Sequence, residues 1–130
     1  MGIRDWFRRR PTGQEDAGVA AWFRVTWDSE QVHLDVEPPG RRAWVASFPW
    51  TSVCRVCFKA EGAEASDGIY VFTTLRPESF VIPTEASGGA ALWSEILNRG
   101  LFSADLAVTA ASAHDGLFCW PFLEPTNGTE

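Results

Sequence analysis

The chain has no apolar run approaching the roughly 18 residues that a membrane-spanning helix needs, so no transmembrane segment is expected. The first residues also lack the apolar stretch of a secretory signal, because the opening arginines run into Pro11-Thr12-Gly13-Gln14-Glu15-Asp16. A cytoplasmic protein is the expectation. Cysteine is scarce, three residues in 130, and an odd count without an export signal argues for reduced thiols rather than a disulfide framework. Positive charge is in deficit: eleven Lys and Arg against seventeen Asp and Glu leave a formal net charge of −6. That balance excludes a general nucleic-acid binder, which has to neutralise phosphates.

Chemistry is equally thin. Nucleophile elbows, phosphate-binding glycine loops and zinc-protease helices are absent from the sequence. Cys54 and Cys57 have a Cys-x-x-Cys spacing, but on a strand residues three apart point to opposite faces and cannot converge on one ion or one disulfide without a bulge. No second such pair exists to complete four zinc ligands. Both are therefore expected to be ordinary thiols, Cys54 in the core and Cys57 on the other face. His33 and His114 have no sequence neighbour resembling a triad and read as surface histidines. Gly88-Gly89 precedes a helix and could meet an anion there, yet Thr84-Glu85 lies close by, so a flexible lead-in to the helix is the better reading. No enzyme, cofactor or metal is expected.

What is present is a folding composition, 45% hydrophobic and 22% charged, with seven Trp and nine Phe against a single Tyr. One domain of this length buries roughly two thirds of its unfolded surface without staples. Large rings dominate core energetics and also concentrate at interfaces, so the richness in Trp fits either use. The organisation expected is a basic segment and linker over 1–18, a single domain over 19–125 and a disordered tail over 126–130.

From Ala20 the hydrophobic period is two. Phe23, Val25 and Trp27 alternate with Trp22, Arg24 and Thr26, and Val32, Leu34 and Val36 alternate with Gln31, His33, Asp35 and Glu37 across an Asp28-Ser29-Glu30 turn. That pattern is a hairpin. Pro38-Pro39-Gly40 ends it, and a third strand is expected from about Ala43 to Phe48. A fourth runs from Thr51 to Lys59, with Cys54, Val56 and Phe58 on one face. Ile69 to Thr73 and Ser79 to Ile82 form the next pair, joined through Arg76-Pro77-Glu78. After Gly88-Gly89 the period turns helical, with Trp93, Ile96 and Leu97 on one face, and Ser103 can cap a second helix over Ala104 to Ala113. The run Leu117 to Leu123 is strongly apolar and has to be buried somewhere.

Strands first and helices last indicate an α+β fold: an antiparallel β-sheet or roll of six to seven strands capped by one or two C-terminal α-helices. With its Phe48-Pro49-Trp50-Thr51-Ser52-Val53-Cys54-Arg55-Val56 segment, then Gly68-Ile69-Tyr70-Val71-Phe72-Thr73, Phe80-Val81-Ile82-Pro83 and a helix beginning near Ala90, the chain resembles bacterial pleckstrin-homology-like domains over about residues 20 to 100. The resemblance implies a non-catalytic interaction module. Members that bind phosphoinositides do so with Lys and Arg around the first hairpin, where this chain has Asp28, Glu30, Asp35 and Glu37, so no phosphoinositide site is expected.

Two features are candidates for binding. The head, Trp6-Phe7-Arg8-Arg9-Arg10, would give residues 3–10 a weak peripheral contact with an anionic membrane, although a frayed, solvated terminus is the simpler reading. The second is the set of outward aromatics, Trp22, Trp44 and Trp50, with Phe118 and Trp120 in the tail. Packing beneath the helical cap is the alternative, and any that stay exposed would mark a protein-binding or self-association surface. An immunity or inhibitor protein, using its acidity to pair with a basic toxin or phage-related partner, is the competing functional expectation. A small enzyme or metal-binding protein is the third.

Overall fold

The computed structural model describes residues 18–61 and 67–121. Among these it places two antiparallel sheets of three and four strands and two α-helices. The first sheet is β1 (Phe23–Trp27), β2 (Gln31–Val36) and β3 (Trp44–Pro49) in that order. The second contains β4 (Val53–Ala60), β5 (Gly68–Thr73), β6 (Arg76–Pro83) and β7 (Gly116–Trp120), ordered β6-β5-β4-β7. Helices α1 (Gly89–Asn98) and α2 (Ala104–Ala111) stand between β6 and β7 in the chain.

The first sheet follows the period-two pattern without a break. Phe23, Val25, Val32, Leu34, Val36 and Phe48 are all buried, while Arg24, Thr26 and Ser47 alternate with them on the open side. The turn between β1 and β2 closes because Asp28 Oδ1 accepts the N–H groups of Glu30 and Gln31, each at 2.8 Å. The 3₁₀ turn after β3 then holds this hairpin end: the Trp50 indole Nε1 donates to the Asp28 carbonyl at 2.9 Å, and Trp50 N–H donates to the Glu30 carbonyl.

In the second sheet the alternation is interrupted. The register of β4 on β5 shifts between Val53 and Arg55, and that of β5 on β6 between Val71 and Thr73. Downstream of the first irregularity Val56, Phe58 and Ala60 face the core. Upstream of it Cys54 is turned out and exposed, which corrects the expectation that it belongs to the core. The β5–β6 connection is tighter than expected: Thr74 and Leu75 make the turn, and Arg76, Pro77 and Glu78 already belong to β6.

The helices are not the end of the fold, contrary to the sheet-then-helix order read from the sequence. Gly116 and residues 117–120 of the apolar run return as β7 and pair antiparallel with β4, Val56 opposite Trp120 and Ala60 opposite Gly116. This resolves where that run is satisfied, since a backbone carrying Phe118 needs ladder partners as well as burial. The pairing is covalent: Cys57 and Cys119 face each other across the two strands and are joined in a disulfide. The expectation of three reduced thiols is thereby corrected. It failed because Cys57 was compared with its sequence neighbour Cys54, whereas its partner is 62 residues away. One of the two supports for a cytoplasmic location falls with it.

The core lies between the sheets and beneath α1, where Val32, Phe48, Val56, Val71, Leu92 and Ile96 meet. Leu92 and Ile96 come from one face of α1, and each fully buried aliphatic side chain contributes about 1.5 to 3 kcal/mol. Trp93 extends this core, with its ring 4.9 Å from Phe58 and 4.8 Å from Phe102. The lead-in to α1 is tight where flexibility was expected. Gly88 has φ of 84°, and a Cβ there would sit 2.3 Å from the Val25 carbonyl oxygen, so only glycine permits this approach. The approach lets Ser87 exchange backbone hydrogen bonds with β1, to Val25 at 2.8 Å and Phe23 at 2.9 Å, closing that edge of the first sheet. Helix α2 begins at Ser103, whose Oγ accepts the Leu106 N–H at 3.1 Å.

Candidate functional site

Residues Trp6, Phe7, Arg8, Arg9 and Arg10 lie outside the described residues, as do the expected linker over most of 1–18 and the tail over 126–130. The remaining predicted residues separate into three places. Trp22 and Trp44 gather around Phe23, with ring centroids 6.1 and 6.2 Å from it, and both are half-buried against the core at one end of the first sheet. Trp50 is not on an outward face. It is only 7% exposed, its indole nitrogen is bonded to the β1–β2 turn, and the Arg99 guanidinium lies 4.0 Å over its ring. Its role is therefore to lock the hairpin: it stands two residues after the buried Phe48, in the phase that puts it on the core side.

Phe118 and Trp120 share β7 but differ in setting. Phe118 lies opposite Phe58 and packs against the core, while Trp120, at the strand end, is 36% exposed. The most exposed large side chain of β7 is one the sequence did not single out, Leu117 at 55%. It points to the side of the second sheet away from the core. Rows of the register define that outer face: Lys59 lies opposite Leu117 and Gly68, Cys57 opposite Cys119 and Tyr70, Tyr70 opposite Val81, and Arg55 opposite Phe72. Tyr70, Phe72 and Val81 are half-buried there, and the disulfide lies on the β4–β7 side of the face with both cysteines buried. Within the rows just named, Arg55 and Lys59 are the charged residues and none is acidic. The Arg55 guanidinium donates to the Pro121 carbonyl at 3.0 Å, which fixes one cation beside the end of β7.

The outer face of the first sheet has the opposite character. Arg24 is paired with Asp35 at 3.1 Å and His33 with Asp28 at 3.4 Å. The Asp28 carboxyl is held below its ordinary value, first by the backbone N–H groups of Gln31 and Glu30 and then by His33. Glu30 adds an exposed carboxylate at the turn end of this hairpin, and Glu37 stands exposed at the opposite end of β2, beyond Asp35. No group of three or more His, Cys, Asp or Glu placed to hold a metal occurs among the described residues, and no helix among them is long and apolar enough to cross a membrane.

No family model, curated protein or solved structure matches the chain.

The outer face of the second sheet was missed because its residues are individually ordinary. The alternation Ile69-Tyr70-Val71-Phe72 is visible in the sequence, but with apolar residues on both sides of the strand nothing local says which side is the core. The one available signal was Leu117, apolar and two residues before a cysteine in a run too hydrophobic for a solvated tail.

Proposed function

We propose that the chain is a non-catalytic protein-interaction module of pleckstrin-homology-like kind whose docking surface is the outer face of the second sheet beside β7. The antiparallel sheets closed over a core by α1 support the fold part of this reading, with β7 as an addition beyond the helices. A single observation carries the docking surface: Leu117 on β7 and Tyr70, Phe72 and Val81 on β5 and β6 share one face on either side of β4, which places the Cys57–Cys119 bridge, Arg55 and Lys59 between them without a carboxylate in these rows. Such a face suits a partner segment that presents apolar side chains with an acidic rim, since apolar burial gives the affinity and charge complementarity gives orientation and on-rate.

A second reading has its own observation. The carboxylates of Asp28, Glu30, Asp35 and Glu37 on the first hairpin suit a basic partner, as an immunity or inhibitor protein would have. One experiment separates the two. The full chain is used to capture proteins from native host extract beside Leu117→Glu and beside an Asp28→Lys/Glu30→Lys variant. A partner lost with Leu117→Glu and kept by the hairpin variant supports the first reading. The reverse pattern transfers the function to the hairpin. A partner retained by both variants contradicts both.

A further inference from the structure

We infer that the open edge of β3 is a self-pairing edge, joining two copies of this chain into one continuous antiparallel sheet. The surface lies on the first sheet and does not depend on the docking face proposed above.

The phase of the ladder decides which backbone groups are free. Trp50 N–H donates to the Glu30 carbonyl, so the pairs that exchange hydrogen bonds with β2 are the ones in step with it: Phe48 with Val32, Ala46 with Leu34 and Trp44 with Val36. Val45 and Ser47 therefore direct their N–H and C=O groups away from β2. Among the described residues β3 pairs with β2 alone, and these outward groups meet no backbone partner. The opposite edge of the same sheet is closed, since Ser87 takes up the outward groups of Phe23 and Val25. The β3 edge also lacks the usual protections. No proline or lysine interrupts Trp44 to Phe48, and Val45 on it is 75% exposed.

The occupant is identified by the edge's own complementarity. Arg41 and Arg42 lead into one end of β3, and Asp28 and Glu30 lie at the other, where Glu30 is tied to Trp50. A two-fold axis through Ala46 sets Val45 of one copy opposite Ser47 of the other, so that each exchanges both hydrogen bonds. The same operation carries Arg42 of each copy to the Glu30 end of its mate, and both ends are satisfied by one symmetric contact. A foreign strand would match one end by chance. A second copy matches both by construction. On the core side the contact would cover Trp44 and Ala46, which are half-buried in the single chain. Pro49, with no N–H to offer, ends the pairing.

Sedimentation velocity of the full chain over a range of concentrations tests this. The wild type should show a concentration-dependent dimer. Ser47→Pro removes an outward N–H without touching the β2–β3 ladder, and it should weaken dimerisation about tenfold or more. Val45→Lys, at an already exposed position, should do the same with circular dichroism unchanged, and it decides the matter if the proline variant fails to fold. Arg42→Glu should weaken the dimer and Glu30→Arg in that background should restore it. A wild type that is monomeric at every concentration overturns the inference. So does a dimer indifferent to Ser47→Pro and Val45→Lys, or one that adds only a foreign strand at this edge.

Discussion

The two sheets of this molecule share a core but are held together by different means. The first is local: its three strands follow one another in sequence, its register runs from Phe23 opposite Val36 to Gln31 opposite Pro49 without a shift, and polar and charged groups mark its outer face. The second is assembled from a distance. It contains two register shifts, and its outermost strand comes from beyond both helices and is joined to β4 by a disulfide spanning 62 residues. The difference teaches that alternation along a chain specifies a strand and its faces but says little about a neighbour that is remote. Loop closure has to be met before a remote pairing gains anything, and a cross-link offsets that entropy where a turn cannot.

The comparison can be broken most severely at the disulfide. Cys119→Ala should lower stability by about 4 kcal/mol on the chain-entropy view for a bridge of that separation, read from denaturant unfolding. Hydrogen exchange should show β7 losing protection while β1 and β2 keep theirs. Equal loss in both sheets would erase the distinction drawn between them.

The next largest effect is expected at the one place where the first sheet depends on something remote. Gly88→Ala forces a Cβ against the Val25 carbonyl in a left-handed conformation and should cost about 2 kcal/mol or more. Thermal unfolding would register it, and exchange protection at Val25 should fall first because Ser87 is pushed away from the β1 edge. Unaltered stability would mean that the Ser87 contact is not what closes this edge.

How much of this was legible beforehand follows the same division. The hairpin and its buried face were readable because Phe23, Val25, Val32, Leu34 and Val36 keep strict step, and Asp28 is a turn residue with a mechanism. Helix α1 was readable from Trp93, Ile96 and Leu97. Cys54 was misplaced because a bulge resets the phase, and no local residue announces it. Trp50 was misplaced because it was judged by residue type, although it stands in phase with the buried Phe48 two residues before it. The tail's destination was illegible in principle, since Leu117 to Trp120 are complementary to a strand whose free edge only the folded sheet creates. For the candidate site the consequence is direct: Trp22, Trp44, Phe118 and Trp120 were named from residue type, while Leu117, Tyr70, Phe72 and Val81 became a face only once β7 had docked.

Two smaller tests sharpen the contrast. Ser103→Ala removes the cap of α2, the helix that leads the chain back to β7, and should cost about 1 kcal/mol by denaturant unfolding. A cost near zero would show that this helix is held by packing alone. At the other sheet, Asp28 has a folded-state pKa below its unfolded value, so its contribution is present in full above the unfolded value near 3.8 and is lost as pH falls through the lower folded one. Asp28→Asn should flatten this acid dependence of the melting temperature below pH 3.8 and leave the neutral range little changed. An acid limb unchanged in Asp28→Asn would remove the carboxylate from the account of the hairpin turn.

The return of residues 116–120 to β4 is the claim on which the second sheet and its docking face both rest. Cα atoms of Cys57 and Cys119 lie 4.0 Å apart, the close spacing of a non-hydrogen-bonded antiparallel pair, which places their Hα protons in contact. A nuclear Overhauser spectrum of the oxidised protein should therefore show a strong Hα–Hα cross-peak between residues 57 and 119. Its absence, with the β4–β5 cross-peaks intact, would contradict the account.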